Sequence, residues 1–151
     1  MRKSLIPILL LALALPAVAA ASPEPPPPGT PPSLTGLEMT ERTILSPSTP
    51  KDTRSKLPRK TIFSFFVNQD ATISVVFKQV RKDGSLVRRG ALTRDGVTGK
   101  NRIRFEGKLP KSKGGIQFLT AGRYRAFFTS HNEFGESPEA SIGFRVVRPK
   151  I

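Results

Sequence analysis

The chain has no cysteine and no tryptophan, and only one histidine and one tyrosine among its 151 residues. Without cysteine there is no disulfide scaffold, thiolate zinc site, iron–sulfur cluster or cysteine nucleophile. A Ser-His-Asp system would have to be built around His131, and no nucleophile-elbow sequence accompanies it. Acidic residues are scarce as well: 11 Asp and Glu stand against 25 Lys and Arg, a formal charge of +14. No second long apolar stretch follows the N-terminal one, and no segment keeps a helical period. A chain of this length has room for about one domain.

What is present begins with an export signature. Met1 is followed by the basic pair Arg2 and Lys3, an apolar run from Leu5 to Leu15, and the small residues Ala17, Ala19, Ala20 and Ala21. This layout predicts a signal peptide over residues 1–21, cleaved after Ala19 to Ala21. A retained anchor is the rival reading, but Leu5 to Ala21 is short for a span, carries Pro7 and Pro16, and lacks a basic stop-transfer flank. A secreted or cell-envelope location follows. With Arg2 and Lys3 removed, 23 basic against 11 acidic residues leave +12. From Ser22 to Pro32 seven of eleven residues are proline, so residues 22–33 read as an extended proline-rich linker.

The sequence then changes to short runs of period-two alternation separated by turn residues, the pattern of half-buried strands. Strands are expected over residues 60–67, 71–80, 101–107, 123–129 and 141–148. A weaker first strand is expected over 37–44 and an edge strand over 86–93. Their inward sets are Phe63, Phe65 and Val67; Ile73, Val75 and Phe77; Ile103 and Phe105; Tyr124, Ala126 and Phe128; and Ile142, Phe144 and Val146. Turns are expected at Lys82-Asp83-Gly84, Arg94-Asp95-Gly96 and Asn132-Glu133-Phe134-Gly135, where glycine supplies the backbone freedom of a tight connection. About seven strands over residues 34–148 point to an all-β, antiparallel sandwich. A barrel is the second choice.

Three segments carry a resemblance. They are Thr120-Ala121-Gly122-Arg123-Tyr124 through Phe144-Arg145-Val146-Val147, the strand pair Phe63-Ser64-Phe65 to Ile73, and Gly99-Lys100-Asn101 to Gly107. Together they resemble the bacterial Ig-like or fibronectin type III-like module, over nearly all of residues 34–148. Ala121 replaces the usual proline, Asn132 the usual aspartate, and the disulfide and tryptophan of antibody domains are missing. The resemblance implies a structural, adhesive or spacer unit, with Tyr124 bonding back to the backbone at a strand start. It implies a fold and not an activity.

The chemistry on offer is slight. His131 reads as a solvated loop residue. Gly90, Gly96 and Gly99 make no phosphate loop, because Asn101 follows Lys100 where Ser or Thr is needed. Asn132, Glu133, Glu136 and Glu139 crowd one hairpin, but their spacing matches no calcium loop, and a solvated connection is the plainer reading. No catalytic residue, metal site, cofactor or small-molecule substrate is expected. Charge remains. If the inward sets face the core, Lys78, Arg123, Arg125 and Arg145 point outward, and the Ig-like resemblance implies that their strands are neighbours in one sheet, so that the four share a face with Val76, Phe127 and Val147. The expected function is a non-enzymatic exported structural or binding module whose partner is a cell-envelope protein or an anionic polymer. The alternative is a basic extracellular binder of anionic polymers (cell-wall polymer, acidic polysaccharide or DNA). The plain rival is that the arginines serve solubility alone.

Overall fold

A computed structural model describes residues 26–51 and 53–149. The expected signal peptide over 1–21 and the start of the expected linker therefore lie outside the described residues. The described chain is all-β, and among these residues there is no helix. Eleven strand segments form in chain order: β1 Leu34–Met39, β2 Thr43–Leu45, β3 Thr61–Val67, β4 Ala71–Val80, β5 Leu86–Gly96, β6 Gly99–Phe105, β7 Lys108–Pro110, β8 Ile116–Phe118, β9 Gly122–Asn132, β10 Gly135–Glu136 and β11 Ala140–Val147. One sheet has the order β1-β3-β6, and a larger one has the order β2-β11-β9-β4-β5 with β10 paired to β9. β7 and β8 make a separate hairpin.

The two main sheets pack face to face through the alternating residues. Every member of the five inward sets is buried. Phe63 from β3 meets Phe77, Phe105, Phe128 and Phe144 at ring separations of 5.2–6.3 Å, joining four other strands at one point. Phe77 stacks on Phe105 at 4.4 Å, and Tyr124 on Phe144 at 5.6 Å. Without tryptophan or disulfide, phenylalanine supplies the apolar bulk between the sheets, with aromatic geometry adding to area burial. Tyr124 is buried and its hydroxyl donates to Thr120 O at 2.7 Å, the backbone bond its position implied.

Three expectations about local structure are corrected. Residues 37–44 are not one strand. The chain leaves the smaller sheet after Met39 and joins the larger at Thr43, because Thr40 N donates to Ile62 O on β3 while Arg42 O accepts Arg145 N on β11. From there β2 runs parallel to β11. Arg94-Asp95-Gly96 is not a turn but the end of β5, opposite Ala71 to Ile73. Gly96 is needed for close approach, since a Cβ there would lie 2.8 Å from the Ile73 side chain. The connection is instead Val97-Thr98, held by Asp70, which accepts from Thr98 N at 2.7 Å and Thr98 Oγ1 at 2.9 Å. Finally, the short β7–β8 hairpin was not anticipated at all; its anchors Leu109 and Leu119 are single buried leucines with too little alternation around them to signal a strand.

The end of the proline-rich segment is tied to the domain. Gln69 Nε2 donates to Thr30 O at 2.8 Å, and Ser33 N donates to Asn68 Oδ1 at 2.7 Å. Both contacts sit at the end of the domain that carries the β9–β10 hairpin.

Candidate basic binding face

The outer face of the larger sheet is built by register. β4, β9 and β11 are adjacent, and each buries its odd or even set so completely that the intervening side chains must point outward. In one cross-strand row Arg145 on β11 stands opposite Arg123 on β9, which faces Val80 on β4. In the next row Gly143 faces Arg125, Arg125 faces Lys78, and Lys78 faces Arg88 on β5. A third row holds Ser141, Phe127, Val76 and Ala91. Lys78, Arg123, Arg125 and Arg145 thus lie together on the outer face of the larger sheet. Val76, Phe127 and Val147 are half-buried beside them.

Two further cations join that the sequence did not point to. Arg42 leads into β2 and donates to Gly143 O at 3.3 Å, bringing a guanidinium to the β11 side of the face. Its place depends on a parallel pairing between distant segments, which no local period announces. Arg88 is exposed beside Lys78 because a bulge at Phe77/Lys78 shifts the β5 register, leaving Arg89 extra between Arg88 and Gly90. The broken alternation at Arg88-Arg89-Gly90 is the trace that could have revealed it.

Between these strands lies a shallow depression of about 430 Å³, lined by Arg42, Arg123, Arg125 and Arg145 with Thr43 and Val80. Gly143 places no side chain on this face, so its backbone forms part of the floor. Arg125 is steadied by Ser141 Oγ at 3.0 Å, and Lys78 Nζ sits 4.6 Å from the centre of the Phe127 ring. That ring is therefore covered by a cation rather than offered as an open stacking surface.

Among the described residues the ion pairs are Arg104–Glu106 and Lys108–Glu106, neither involving a cation of this face. The carboxyls held below their usual range are also off the face. Asp70 is lowered by the Thr98 N–H and hydroxyl, Asp83 by the Ser85 hydroxyl and N–H, and Glu106 by the Arg104 guanidinium. Like charges directly opposite on neighbouring strands are destabilising, and among the described residues no carboxylate forms an ion pair with them. The arrangement suits a ligand carrying repeated negative charge.

His131 is exposed near the end of β9, paired in register with Thr72 and Glu136, with no hydrogen bond of its own side chain among the described contacts. Asn132 Oδ1 accepts from Phe134 N at 2.9 Å, closing the hairpin at whose tip Glu133 sits. Among the described residues no group of three or more His, Cys, Asp or Glu is placed to hold a metal ion.

No family model matches the chain, and no curated protein does. Among solved structures it is similar to a β-glucosidase of Erythrobacter marinus, at 8% identity and a TM-score of 0.40 over 77% of this chain. It is also similar to a GH3 β-glucosidase of Bifidobacterium adolescentis, at 12% identity and a TM-score of 0.31 over 75% of this chain. The matched part spans 15% and 17% of those chains. At this level of likeness neither a fold family nor an activity transfers.

Proposed function

We propose that the protein is an exported, non-enzymatic Ig-like module that binds an anionic polymer on the outer face of its larger sheet. The observation that carries this reading is the run of directly opposed cations, Arg145/Arg123 and Arg125/Lys78/Arg88, with no carboxylate paired to any of them among the described residues. Such a face lowers its own repulsion by taking up a polyanion, and arginine forks match carboxylate, sulfate and phosphate groups. The Ig-like assignment rests on the sequence pattern through Tyr124 and on the two face-to-face sheets. Export rests on the N-terminal sequence, and the proline-rich segment then serves as the tether.

The orientation suits that role. The tether meets the domain beside Gln69 and Asn68, whereas Arg123 and Arg145 lie at the other end of β9 and β11. Nine residue steps along β9, from Arg123 to Asn132, separate them by about 30 Å. The cations are therefore presented at the end remote from the tether.

The test is a salt-titrated pull-down of residues 22–151 against isolated cell wall, acidic polysaccharide and DNA, beside a variant carrying Arg123→Glu, Arg125→Glu and Arg145→Glu. Binding that saturates, falls steeply with salt and is lost in the variant supports the reading. Retention on a heparin-type matrix that the three substitutions leave unchanged refutes it.

A further inference from the structure

Beyond the β5 edge lies a second basic concavity. The β7–β8 hairpin stands against β5, anchored by the buried Leu109 and Leu119. Gly90 lets it approach: a Cβ at that position would lie 3.0 Å from Leu109 Cδ1 and 3.3 Å from Leu109 Cβ. The hairpin closes through Lys111 N to Gly115 O and Gly114 N to Lys111 O, each 3.1 Å, with Gly114 and Gly115 in the left-handed region. A groove of about 700 Å³ results, lined by Arg88, Arg89, Lys111, Ser112, Lys113 and Gln117, and no acidic residue lines it. Arg89 is held in place by Gln79 Oε1, which accepts its Nε at 2.9 Å. Arg88 belongs both to this groove and to the row containing Lys78 and Arg125.

We propose that the groove continues the outer face as one cationic path, so that a flexible polyanion without bases crosses the larger sheet and turns round the β5 edge at Arg88 to end between Arg89, Lys111 and Lys113. This rests on the reading of the face given above. From β2 to β5 the path crosses four strand spacings, about 19 Å, before it reaches the hairpin. A nucleic acid is the poorer fit, because single strands gain much of their binding from bases stacked on open aromatic rings; the one aromatic ring in the rows of this face, Phe127, is covered by Lys78, and the exposed Phe118 of the hairpin does not line the groove. The shared ligand chemistry is closely repeated sulfate, carboxylate or phosphate on a flexible chain.

The experiment uses residues 22–151, sulfated glycan oligosaccharides and inorganic polyphosphates of graded length, and single-stranded oligothymidylate of matched charge. Affinities are measured by calorimetry across a salt series for the wild type, a hairpin variant (Lys111→Ser with Lys113→Ser) and the triple face variant. Lys111 and Lys113 are exposed turn residues, and an unchanged melting temperature verifies that the hairpin variant folds. The expected result is that wild-type affinity keeps rising for ligands longer than about 19 Å. The hairpin variant then binds short ligands like the wild type, loses the gain from longer ones, and shows a salt slope smaller by about 1.4–1.8 for two lost contacts. The glycan and polyphosphate arms separate the two sources of charge. If the hairpin variant matches the wild type at every length while the face variant does not bind, the continuous path is refuted and the face reading stands. If the face variant binds like the wild type, the face reading fails and the path fails with it. Tighter binding of oligothymidylate than of either base-free polymer overturns the assignment of ligand class.

Discussion

Reversing one charge in the middle of the basic face should separate its electrostatics from the rest of the fold. Arg125 stands directly opposite Lys78 and is exposed, and the only hydrogen-bond partner of its side chain among the described residues is Ser141 Oγ. Arg125→Glu removes one like-charge contact and creates one opposite-charge contact. Each is worth about 0.2–1 kcal/mol for directly opposed residues, and the lower half of that range applies at a solvated site. Together they contribute about 1 kcal/mol, against which losing the Ser141 contact costs about 0.5 kcal/mol. The net expectation at low ionic strength is a stabilisation of about 0.5 kcal/mol, or about 2 °C in melting temperature for a domain of this size. In 1 M salt the screening length shrinks to about 3 Å, the electrostatic gain disappears, and the variant should melt slightly below the wild type. Arg125→Gln, which relieves repulsion without adding attraction, should fall between them at low salt. Thermal unfolding followed by circular dichroism at the two salt concentrations reads all three proteins. A variant destabilised by more than about 1 kcal/mol at low salt, or a difference that salt does not change, would refute the opposed-cation register.

Other outcomes follow from the core and the acid groups. Tyr124→Phe removes the hydroxyl that donates to Thr120 O in a part-buried setting and should cost about 1–2 kcal/mol, read as a lower urea midpoint at unchanged slope. Phe63→Ala empties the point where five rings meet and should cost about 3–5 kcal/mol, a large share of the stability of a domain without disulfides. A variant that loses under 1 kcal/mol there would contradict the central place of that ring. Asp70, Asp83 and Glu106 have folded-state values below their ordinary ones, so the stability they contribute is present above the unfolded carboxyl range near 4 and is lost as pH falls through the lowered values. Urea midpoints should therefore hold steady from about pH 8 to 5 and decline below about 4. Asp70→Asn, which cannot titrate, should make the decline shallower, and an unchanged acid limb would dismiss the Asp70–Thr98 contact as a contributor.

The inward and outward sets could be read from alternation because a strand sends successive side chains to opposite faces, and a segment such as 71–80 alternates without interruption. The same rule turns Lys78, Arg123, Arg125 and Arg145 away from the core, but their meeting on one face depends on the pairing of β4, β9 and β11. The rule fails where alternation breaks or is too short to register. The bulge hides Arg88, three-residue strands hide the β7–β8 hairpin, and Gly96 has the sequence context of a turn glycine but is required because Ile73 lies against it.

Strand faces, core residues and the excess of positive charge are thus local properties of the chain, dictated by side-chain period and composition. Which strands became neighbours is not local. The switch of the chain between sheets at Thr40–Arg42, the parallel seating of β2 on β11, and the meeting of Arg42, Arg125 and Arg145 around Gly143 join residues about a hundred positions apart. Backbone hydrogen bonds are alike in every register, so only the joint packing of the phenylalanines from both sheets selects one pairing, and with it the contiguity of the basic face and groove.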